Sequence, residues 1–394
     1  MKHCIIILDG ASGWPLEELD GRTTLAAALT PNLDALAATG MCGLAATVPA
    51  DAEPSSSAAC TSILGYDPVS DFVGRGAIEA ASMGILLGPD EVALRMNLVN
   101  ITGGVMSSYS CGHISTTESR AIVADLAEEL AGETFQFHPG VSYRHILVVK
   151  GHPELVEASY TPPHDISGQP IEGHAPSGPG SQVLLDLMAC ARLALVQSAP
   201  NISRQEVGEV AATDIWPFWP GLAPKGLVPI RQLRGISAAM TSGVDLLNGL
   251  AELTGIDRLD IPGVTDGPDN DYAAQAEQAL RALRHYDLVV IHVETPDEAG
   301  HAGDVRAKIA GIEAIDREIV RRARDWGDGL RVLCMPDHPT PIAMKTHVGE
   351  PVPFVLAGPG IAYNGALRFD EAAAAATRLL VDPGRGVMDL LLAP

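Results

Sequence analysis

Positive charge is scarce in this sequence. Lysine and arginine number 26 against 49 aspartates and glutamates, and the 394 residues carry a formal net charge of −23 at pH 7. Nucleic acids and anionic membranes attract basic surfaces, so this balance argues against either of them as the main partner. An anionic substrate would therefore have to meet a local cluster of positive charge or a bound metal ion.

Long apolar runs and closely spaced cysteines are also missing. The apolar start, residues 4–8, ends at Asp9 and is too short for the core of a signal peptide or for a membrane span. The six cysteines are scattered without a Cys-x-x-Cys pair, so neither a zinc knuckle nor a disulfide framework is implied. These absences predict a cytoplasmic globular protein, and the length suits two domains or one large domain with an insertion.

Short apolar runs that end at a polar residue recur along the chain. Three of them predict buried strands of a parallel sheet, because both faces of such strands are covered: residues 4–8, 288–293 and 332–335. Apolar residues spaced three or four apart predict helices over 304–326, 273–283 and 243–253. This alternation predicts an α/β fold in which helices flank a largely parallel sheet.

The middle of the chain has a different composition. Residues 88–180 are richer in Gly, Pro, Ser and His, with one candidate strand at 145–149 and one candidate helix at 117–130. We expect an inserted, smaller α/β cap domain over 88–180, while 1–87 and 181–394 form the core domain. The Gly-Pro-Gly loop that ends this region lacks the Lys-Ser/Thr ending of a phosphate-cradling P-loop.

Carboxylates and imidazoles gather where the predicted strands end. Asp9, Asp337 and His338 follow two of the runs, and Asp297 and His301 are four residues apart, on one face if that stretch is helical. Each motif alone also fits a surface Asp–His pair. Open α/β sheets place their ligands at the carboxyl ends of strands, so together they predict a site for a pair of divalent ions.

Three consecutive serines, Ser55 to Ser57, follow a proline. Taken alone, they are typical of a turn and a helix N-cap. A pair of divalent ions would change this interpretation, since their charge exceeds that of the three aspartates and would suit a phosphoryl group. It would also lower the pKa of a coordinated serine hydroxyl, which makes one of the three serines a candidate nucleophile.

The polar residues above belong to a longer series of motifs. In chain order these are Ile7-Leu-Asp-Gly10, the serine loop followed by Ile63-Leu-Gly-Tyr-Asp-Pro68, residues 74–84, 143–149, 162–167 and 292–301, Pro336-Asp-His338, and Lys345-Thr-His347 followed by 351–354. In this order they resemble the archaeal-type, cofactor-independent phosphoglycerate mutases of the alkaline phosphatase superfamily, and the resemblance runs nearly from end to end.

The resemblance implies an alkaline-phosphatase-like core and interconversion of 2-phosphoglycerate and 3-phosphoglycerate through a phosphoserine on Ser56. It implies two divalent metal ions, with Mn²⁺ as the first choice and Zn²⁺, Co²⁺ or Mg²⁺ as alternatives. The implied ligands are Asp9, Ser56, Asp337 and His338 for one ion and Asp297, His301 and His347 for the other. The implied substrate-binding residues of the cap domain are Arg95, His113 and Arg144. The partner is then a small phosphorylated metabolite. The oligomeric state stays open, with a homo-oligomer as one of the alternatives.

The sequence departs from the family pattern at the nucleophile. The family usually has Gly-Ser-Asp there, with His or Asn three residues after the Asp, whereas this chain has Ser55-Ser56-Ser57 and Cys60. Two alternatives therefore stay open within the same chemistry: a homoserine-kinase-like phosphotransferase, or a phosphomonoesterase acting on another small phosphorylated metabolite. A third is a catalytically silent metal-binding paralogue, against which the six retained Asp and His ligands weigh, because buried polar ligands without a metal are costly.

Overall fold

The computed structural model describes residues 1–50, 52–71, 74–223, 227–327 and 329–394. The chain divides into two compact units, which we call the core unit (Met1–Phe72 with Gly226–Pro394) and the inserted unit (Val73–Lys225). The insertion is thus wider than the 88–180 expected from composition.

The described strands are β1 (Lys2–Leu8), β2 (Met41–Ala45), β3 (Glu91–Thr102), β4 (Val105–Ser108), β5 (Phe135–His138), β6 (Arg144–Lys150), β7 (Asp214–Leu222), β8 (Ala238–Thr241), β9 (Asp257–Arg258), β10 (Leu288–Val293), β11 (Leu330–Met335), β12 (Val352–Ala357) and β13 (Leu380–Val381). The described α-helices are α1 (Thr24–Ala27), α2 (Pro31–Ala37), α3 (Ser56–Ile63), α4 (Arg75–Ser82), α5 (Thr116–Leu130), α6 (Ser181–Gln197), α7 (Ala199–Glu206), α8 (Ile230–Arg234), α9 (Asp245–Thr254), α10 (Tyr272–Ala282), α11 (Thr295–Ala302), α12 (Val305–Ile315), α13 (Arg321–Arg324), α14 (Glu371–Ala376) and α15 (Gly386–Leu392). A π-helical turn (Asp316–Val320) joins α12 to α13, so the helix predicted over 304–326 is confirmed as one nearly continuous segment.

The core unit is built on a largely parallel sheet, as the sequence predicts. Its strand order is β13-β2-β12-β11-β1-β10-β8-β9, and only β12 runs antiparallel to its neighbours. The three predicted strands are adjacent, because β1 pairs in parallel with β10 on one side and with β11 on the other. Their carboxyl ends therefore meet at one edge of the sheet.

Helices cover both faces of the core sheet. Cys4, Ile6 and Leu8 of β1 pack in one cluster with buried side chains of α2, α10 and α12. Ile5 and Ile7 point to the other face and are equally buried. A strand covered on both faces must be apolar at every position, which is why β1 shows no alternation in the sequence.

The inserted unit is built on an antiparallel sheet with the order β4-β3-β6-β5, in which β7 also pairs with β3. Helices α5 and α6 pack on one face, and α4 packs on β3 and β7. The predicted strand at 145–149 and the predicted helix at 117–130 are confirmed as β6 and α5. Helix α4 and strand β7 lie outside the expected insertion but join this unit through non-local packing and pairing, which composition does not reveal.

Within the part of the chain that the structure describes, no helix taken singly is long and apolar enough to cross a membrane. The bent pair Ser181–Gln197 and Ala199–Glu206 meets that test of length and composition only when its two helices are counted together.

Candidate metal centre

Asp9 lies where three parallel strands of the core unit end. It follows β1, its backbone N–H donates to Val293 O at 3.0 Å, and its side chain is fully buried. Gly10 comes next with φ +58°, and a Cβ at this position would meet Asp297 Oδ1 at 2.3 Å. Glycine is therefore required here, because the chain must turn in the left-handed region while two carboxylates approach.

The first group of donors surrounds His338. Its Nε2 lies 3.6 Å from Asp9 Oδ1, 3.3 Å from Asp337 Oδ2 and 3.0 Å from Ser56 Oγ. Asp337 Oδ1 accepts the backbone N–H groups of Gly10 and His338, which fixes the carboxylate and leaves Oδ2 facing the group. The structure thus brings together the four side chains that the family resemblance assigns to one ion.

The second group surrounds Asp297 in α11. Its Oδ2 lies 3.0 Å from His301 Nε2, one helical turn away, and 3.6 Å from His347 Nε2. The two imidazole Nε2 atoms are 2.9 Å apart. The two groups adjoin, since the ring centroids of His338 and His347 lie 4.0 Å apart. One possible ligand atom from each of Asp297, His338 and His347 also lies within 4.8 Å of the other two.

The serine triplet opens helix α3. Ser55 is the N-cap, and its Oγ accepts the backbone N–H of Ala58 at 3.3 Å. The interpretation of the triplet as an N-cap is confirmed, because Ser55 caps α3 and the helix begins at Ser56. The first turn directs Ser56 Oγ to His338. Ser57 is buried and lies 3.0 Å from Ser55, Oγ to Oγ.

Burial and charge perturb the acidic groups of the site. Burial raises the pKa of Asp9 well above its ordinary value, and the charges of Asp337 and Asp297 raise it further. Burial also opposes ionisation of Asp297, yet hydrogen bonds from His301 and His347 hold its pKa well below the ordinary value. The bond to Asp297 raises the pKa of His301 to about 9. Carboxylates packed this closely need a source of positive charge.

Ser242 and His292 belong to this site, although sequence reasoning assigned them no role. Ser242 Oγ accepts the N–H of Val244 at 3.0 Å and lies 2.9 Å from His292 Nδ1, so its own proton is available to that nitrogen. His292 Nε2–H then donates to Asp9 Oδ2 at 2.7 Å. The available signal was a histidine inside the otherwise apolar run 288–293, which a buried strand tolerates only when the ring is hydrogen-bonded.

Further polar groups border the two donor groups. Glu294 sits near Asp9 and His292, and these three could also hold an ion by distance alone. Burial and the charge of Asp9 raise the pKa of Glu294 well above its ordinary value. Cys60 Sγ lies 3.6 Å from Asp337 Oδ2, and burial raises the pKa of its thiol, so Cys60 donates to Asp337 as a neutral group.

Lys308 is a buried cation that is connected to the site through Thr340. Its Nζ donates to Thr340 O at 2.7 Å and to Ser12 O at 3.1 Å, while the Thr340 hydroxyl donates to Asp297. Burial lowers the pKa of Lys308 to about 8. One ammonium group does not balance the carboxylates that converge here.

The residues expected to bind substrate all lie in the inserted unit. Arg95 is on β3 and donates to Glu79 Oε1 at 3.1 Å. Arg144 begins β6 opposite Asn97, which places both arginines on the same face of the sheet. His113 has φ +56°, and its ring makes edge-to-face contacts with the rings of Tyr109 and Tyr143.

Comparison with known proteins gives one consistent result. A family model described as 2,3-bisphosphoglycerate-independent phosphoglycerate mutase matches residues 37–201. A protein of that name from Methanothrix thermoacetophila is 42% identical over 100% of both chains. The solved cofactor-independent phosphoglycerate mutase from Thermoplasma acidophilum is 27% identical with a TM-score of 0.69, covering 100% of this chain and 99% of that one. A solved protein from Pyrococcus horikoshii is 26% identical with a TM-score of 0.84, covering 99% and 96%.

Proposed function

Because this chain belongs to the family of 2,3-bisphosphoglycerate-independent phosphoglycerate mutases, we propose that it interconverts 2-phosphoglycerate and 3-phosphoglycerate through a phosphoserine on Ser56. One observation carries the choice of Ser56. Its Oγ lies 3.0 Å from His338 Nε2, inside a group of buried carboxylates, whereas Ser55 Oγ caps a helix and Ser57 is turned toward Ser55.

The donor set fits divalent metal ions. Asp9 Oδ1 is fully buried and has no hydrogen-bond partner among the described residues. The Ser242–His292 pair occupies the other oxygen of Asp9, so Oδ1 is left to bind a cation. Mixed oxygen and nitrogen donors of this kind suit Mn²⁺, with Zn²⁺, Co²⁺ and Mg²⁺ as alternatives.

The ligands divide into two sets under this proposal. One ion is held by Asp9, Ser56, Asp337 and His338, and the other by Asp297, His301 and His347. When bound, two such ions supply positive charge against the carboxylates and the phosphoryl group, and they favour the ionised form of a nearby hydroxyl.

The side chains of this protein then have distinct tasks. Ser56 Oγ forms a bond to phosphorus while the bond between phosphorus and the ester oxygen of the substrate breaks, so that glycerate is left with a free hydroxyl at that carbon. In the second half of the reaction the phosphoryl group passes from Ser56 to the other hydroxyl of the glycerate. Helix α3 presents Ser56 in its first turn, where free backbone N–H groups favour negative charge. Arg95, His113 and Arg144 hold the substrate in the inserted unit.

Phosphorus NMR of the metal-reconstituted protein with each phosphoglycerate isomer tests this function. We expect each isomer to be converted to the other without added 2,3-bisphosphoglycerate, and much faster than inorganic phosphate is released. Inorganic phosphate as the main product would identify a phosphomonoesterase instead. Absence of both reactions, with transfer to an added alcohol acceptor such as homoserine, would favour the phosphotransferase.

A further inference from the structure

Two arginines of the inserted unit share one carboxylate oxygen. Arg75 Nε donates to Glu79 Oε1 at 2.8 Å, and Arg95 Nη1 donates to the same oxygen at 3.1 Å. Burial opposes ionisation of Glu79, but the charges of Arg95, Arg75 and Arg144 hold its pKa below the ordinary value, so Glu79 is a carboxylate. One carboxylate cannot neutralise two guanidinium groups, and the cluster keeps a surplus of positive charge in a chain that is acidic overall.

Two buried polar atoms on strand β3 have no hydrogen-bond partner among the described residues. Arg95 is only 8% exposed, and its Nε forms no hydrogen bond within the described residues. The same holds for Oδ1 of Asn97, which is 1% exposed. Asn97 Nδ2 donates to Tyr109 O at 3.2 Å, which fixes the amide so that Oδ1 points elsewhere. An unpaired donor and an unpaired acceptor thus lie two residues apart on one face of β3, and leaving such groups buried and unpaired is costly.

A β-bulge in strand β7 places an aromatic ring against the arginines. The pairing of β3 with β7 shifts between Leu94 and Arg95, because Trp219 is an extra residue between Phe218 and Pro220. Trp219 has φ +48°, a backbone conformation that residues other than glycine rarely adopt. The bulge places the indole ring under Arg75, whose guanidinium carbon lies 3.9 Å from the ring centroid. Bulges of this kind re-aim side chains at functional sites.

Glycines bring Arg75 to this position. Gly74 has φ +83°, and a Cβ there would meet Pro220 O at 2.3 Å. A Cβ at Gly76 would meet Ala93 O at 2.2 Å and Trp219 O at 2.5 Å. The first turn of α4 therefore lies directly on β3 and on the bulge. Only glycine fits on either side of Arg75 in this packing, which is the one that brings Arg75 onto Trp219.

From these contacts we infer that Arg75 and Arg95, held by Glu79 and Trp219, form a binding site for the carboxylate of a small hydroxy acid. Arg75 is the recognition residue that the sequence did not single out. Its guanidinium is fixed at Nε by Glu79 and on one face by Trp219, so its two terminal nitrogens remain to grip a carboxylate side by side. Asn97 Oδ1, the unpaired acceptor two residues along β3 from Arg95, would accept the hydroxyl of such an acid. The identity of the acid as a glycerate rests on the proposed function, whereas the existence of the site does not.

Calorimetric titration of the full-length protein, freed of metal by a chelator, tests the site directly, since a carboxylate then has no metal ion to bind. The probes are D-glycerate, which has a carboxylate and no phosphate, and glycerol 3-phosphate, which has a phosphate and no carboxylate. We expect D-glycerate to bind and Arg75→Gln to weaken it about tenfold or more, the size of one lost charge-assisted hydrogen bond. Arg75→Lys keeps the charge without the planar fork and should recover only part of the loss.

Lys150→Gln is the matched control, because it removes one positive charge from an exposed position at the end of β6 in the same unit. It should bind D-glycerate within twofold of the unchanged protein. Arg75 is partly exposed, with 40% of its side chain accessible, so its replacement should leave the fold intact. Circular dichroism of each variant checks this.

Kinetics on the metal-loaded enzyme separate this inference from the proposed function. Arg75→Gln should raise KM for 3-phosphoglycerate more than it lowers kcat. Isomerase activity with unchanged KM and unchanged D-glycerate binding in Arg75→Gln would overturn the inference alone. Arg75-dependent binding of D-glycerate by a protein without isomerase activity would overturn the proposed function alone. Glycerol 3-phosphate binding as tightly as D-glycerate, and losing affinity in Arg75→Gln, would overturn the assignment to a carboxylate.

Discussion

Three adjacent hydroxyl groups at residues 55–57 differ in what they contact, and this difference yields a prediction at the scale of single residues. Ser56→Ala should lower the isomerisation rate by several orders of magnitude, because under the proposed mechanism it removes the oxygen that receives the phosphoryl group. Ser55→Ala should retain measurable activity and lose about 1 kcal/mol of stability, since it removes the cap of α3. Ser57→Ala should also retain measurable activity.

Rapid acid quenching followed by peptide digestion locates the phosphoryl group directly. We expect phosphate on Ser56 and on neither neighbour. Label on Ser57 with Ser56 unmodified would move the nucleophile by one residue and contradict the assignment based on the contact with His338.

A second prediction at this scale concerns Ser242, which does not reach the donor groups itself. Ser242→Ala removes the hydroxyl that fixes the tautomer of His292 and so loosens the hold on Asp9. The affinity for Mn²⁺ of the group around Asp9 should fall about 10- to 100-fold, as is typical when a hydrogen bond behind a metal ligand is lost. Titration of the metal-free protein measures this.

Ser237→Ala serves as the control, since Ser237 bonds to Asp287 at the opposite, amino-terminal end of β10. It should leave Mn²⁺ affinity unchanged. Equal Mn²⁺ affinities in Ser242→Ala and the unchanged protein would show that His292 does not position Asp9.

At the scale of elements, strand β6 contains a histidine that makes the stability of the protein depend on pH. His145 Nδ1 accepts the N–H of Gly140 at 3.1 Å, and Nε2 is buried without a partner among the described residues. Burial lowers the pKa of His145 to about 3. The ring is therefore neutral in the folded protein, while in the unfolded chain it takes up a proton near pH 6.5.

The sign of the effect follows from this difference in pKa. The contribution of His145 to stability is fully present above about pH 6.5 and is lost as the pH falls toward about 3, at roughly 1.4 kcal/mol per pH unit. His145→Asn keeps an acceptor near Nδ1 but cannot be protonated, so its free energy of unfolding should fall less steeply below pH 6.5. Urea unfolding at a series of pH values compares the two, with His285→Asn at an exposed position as the control. Parallel curves for His145→Asn and the unchanged protein would contradict the prediction.

The elements themselves were partly readable from the sequence. The runs 288–293 and 332–335 are apolar at nearly every position, as strands covered on both faces must be, and both are strands. The limits of the inserted unit were not readable. They depend on the pairing of β7 with β3, more than a hundred residues apart in the chain, and on the packing of α4 against both strands.

At the scale of the whole molecule, the two donor groups predict a metal stoichiometry. We expect elemental analysis to find two ions per chain in the reconstituted protein. Asp297→Ala and His347→Ala should each reduce this to one, because each removes a proposed ligand of the second ion only. Asp9→Ala should remove the other ion. Two ions per chain in both Asp297→Ala and His347→Ala would mean that the ligands are misassigned.

The same proposed ligands predict that both activity and stability depend on bound metal. A chelator should abolish isomerisation, and Mn²⁺, or else Zn²⁺ or Co²⁺, should restore it. The thermal unfolding temperature should also fall on metal removal, since the buried carboxylates then repel one another without compensation and a ligand of the folded state is lost. Undiminished turnover by protein shown to be metal-free would exclude this mechanism.

The sequence by itself determined those features that are encoded locally. The sheet and the family were predicted from the apolar runs that end at Asp9 and at Asp337-His338, the four-residue spacing of Asp297 and His301, and the order of these motifs. The ligand set stays a proposal that rests on the family resemblance. Strand periodicity and helical spacing depend on neighbours in the chain, so they can be read without knowing the fold.

Only the tertiary structure decided the rest. The hydrogen bonds from Ser242 to His292 and from His292 to Asp9 connect the ends of three strands. The site of Arg75, Arg95 and Trp219 depends on a bulge in β7 where it pairs with β3. Neither leaves a local pattern, because a hydrogen bond or a stacked ring is set by distance in space. A buried polar atom such as Asp9 Oδ1 or Arg95 Nε reveals its need for a partner only when its surroundings are known.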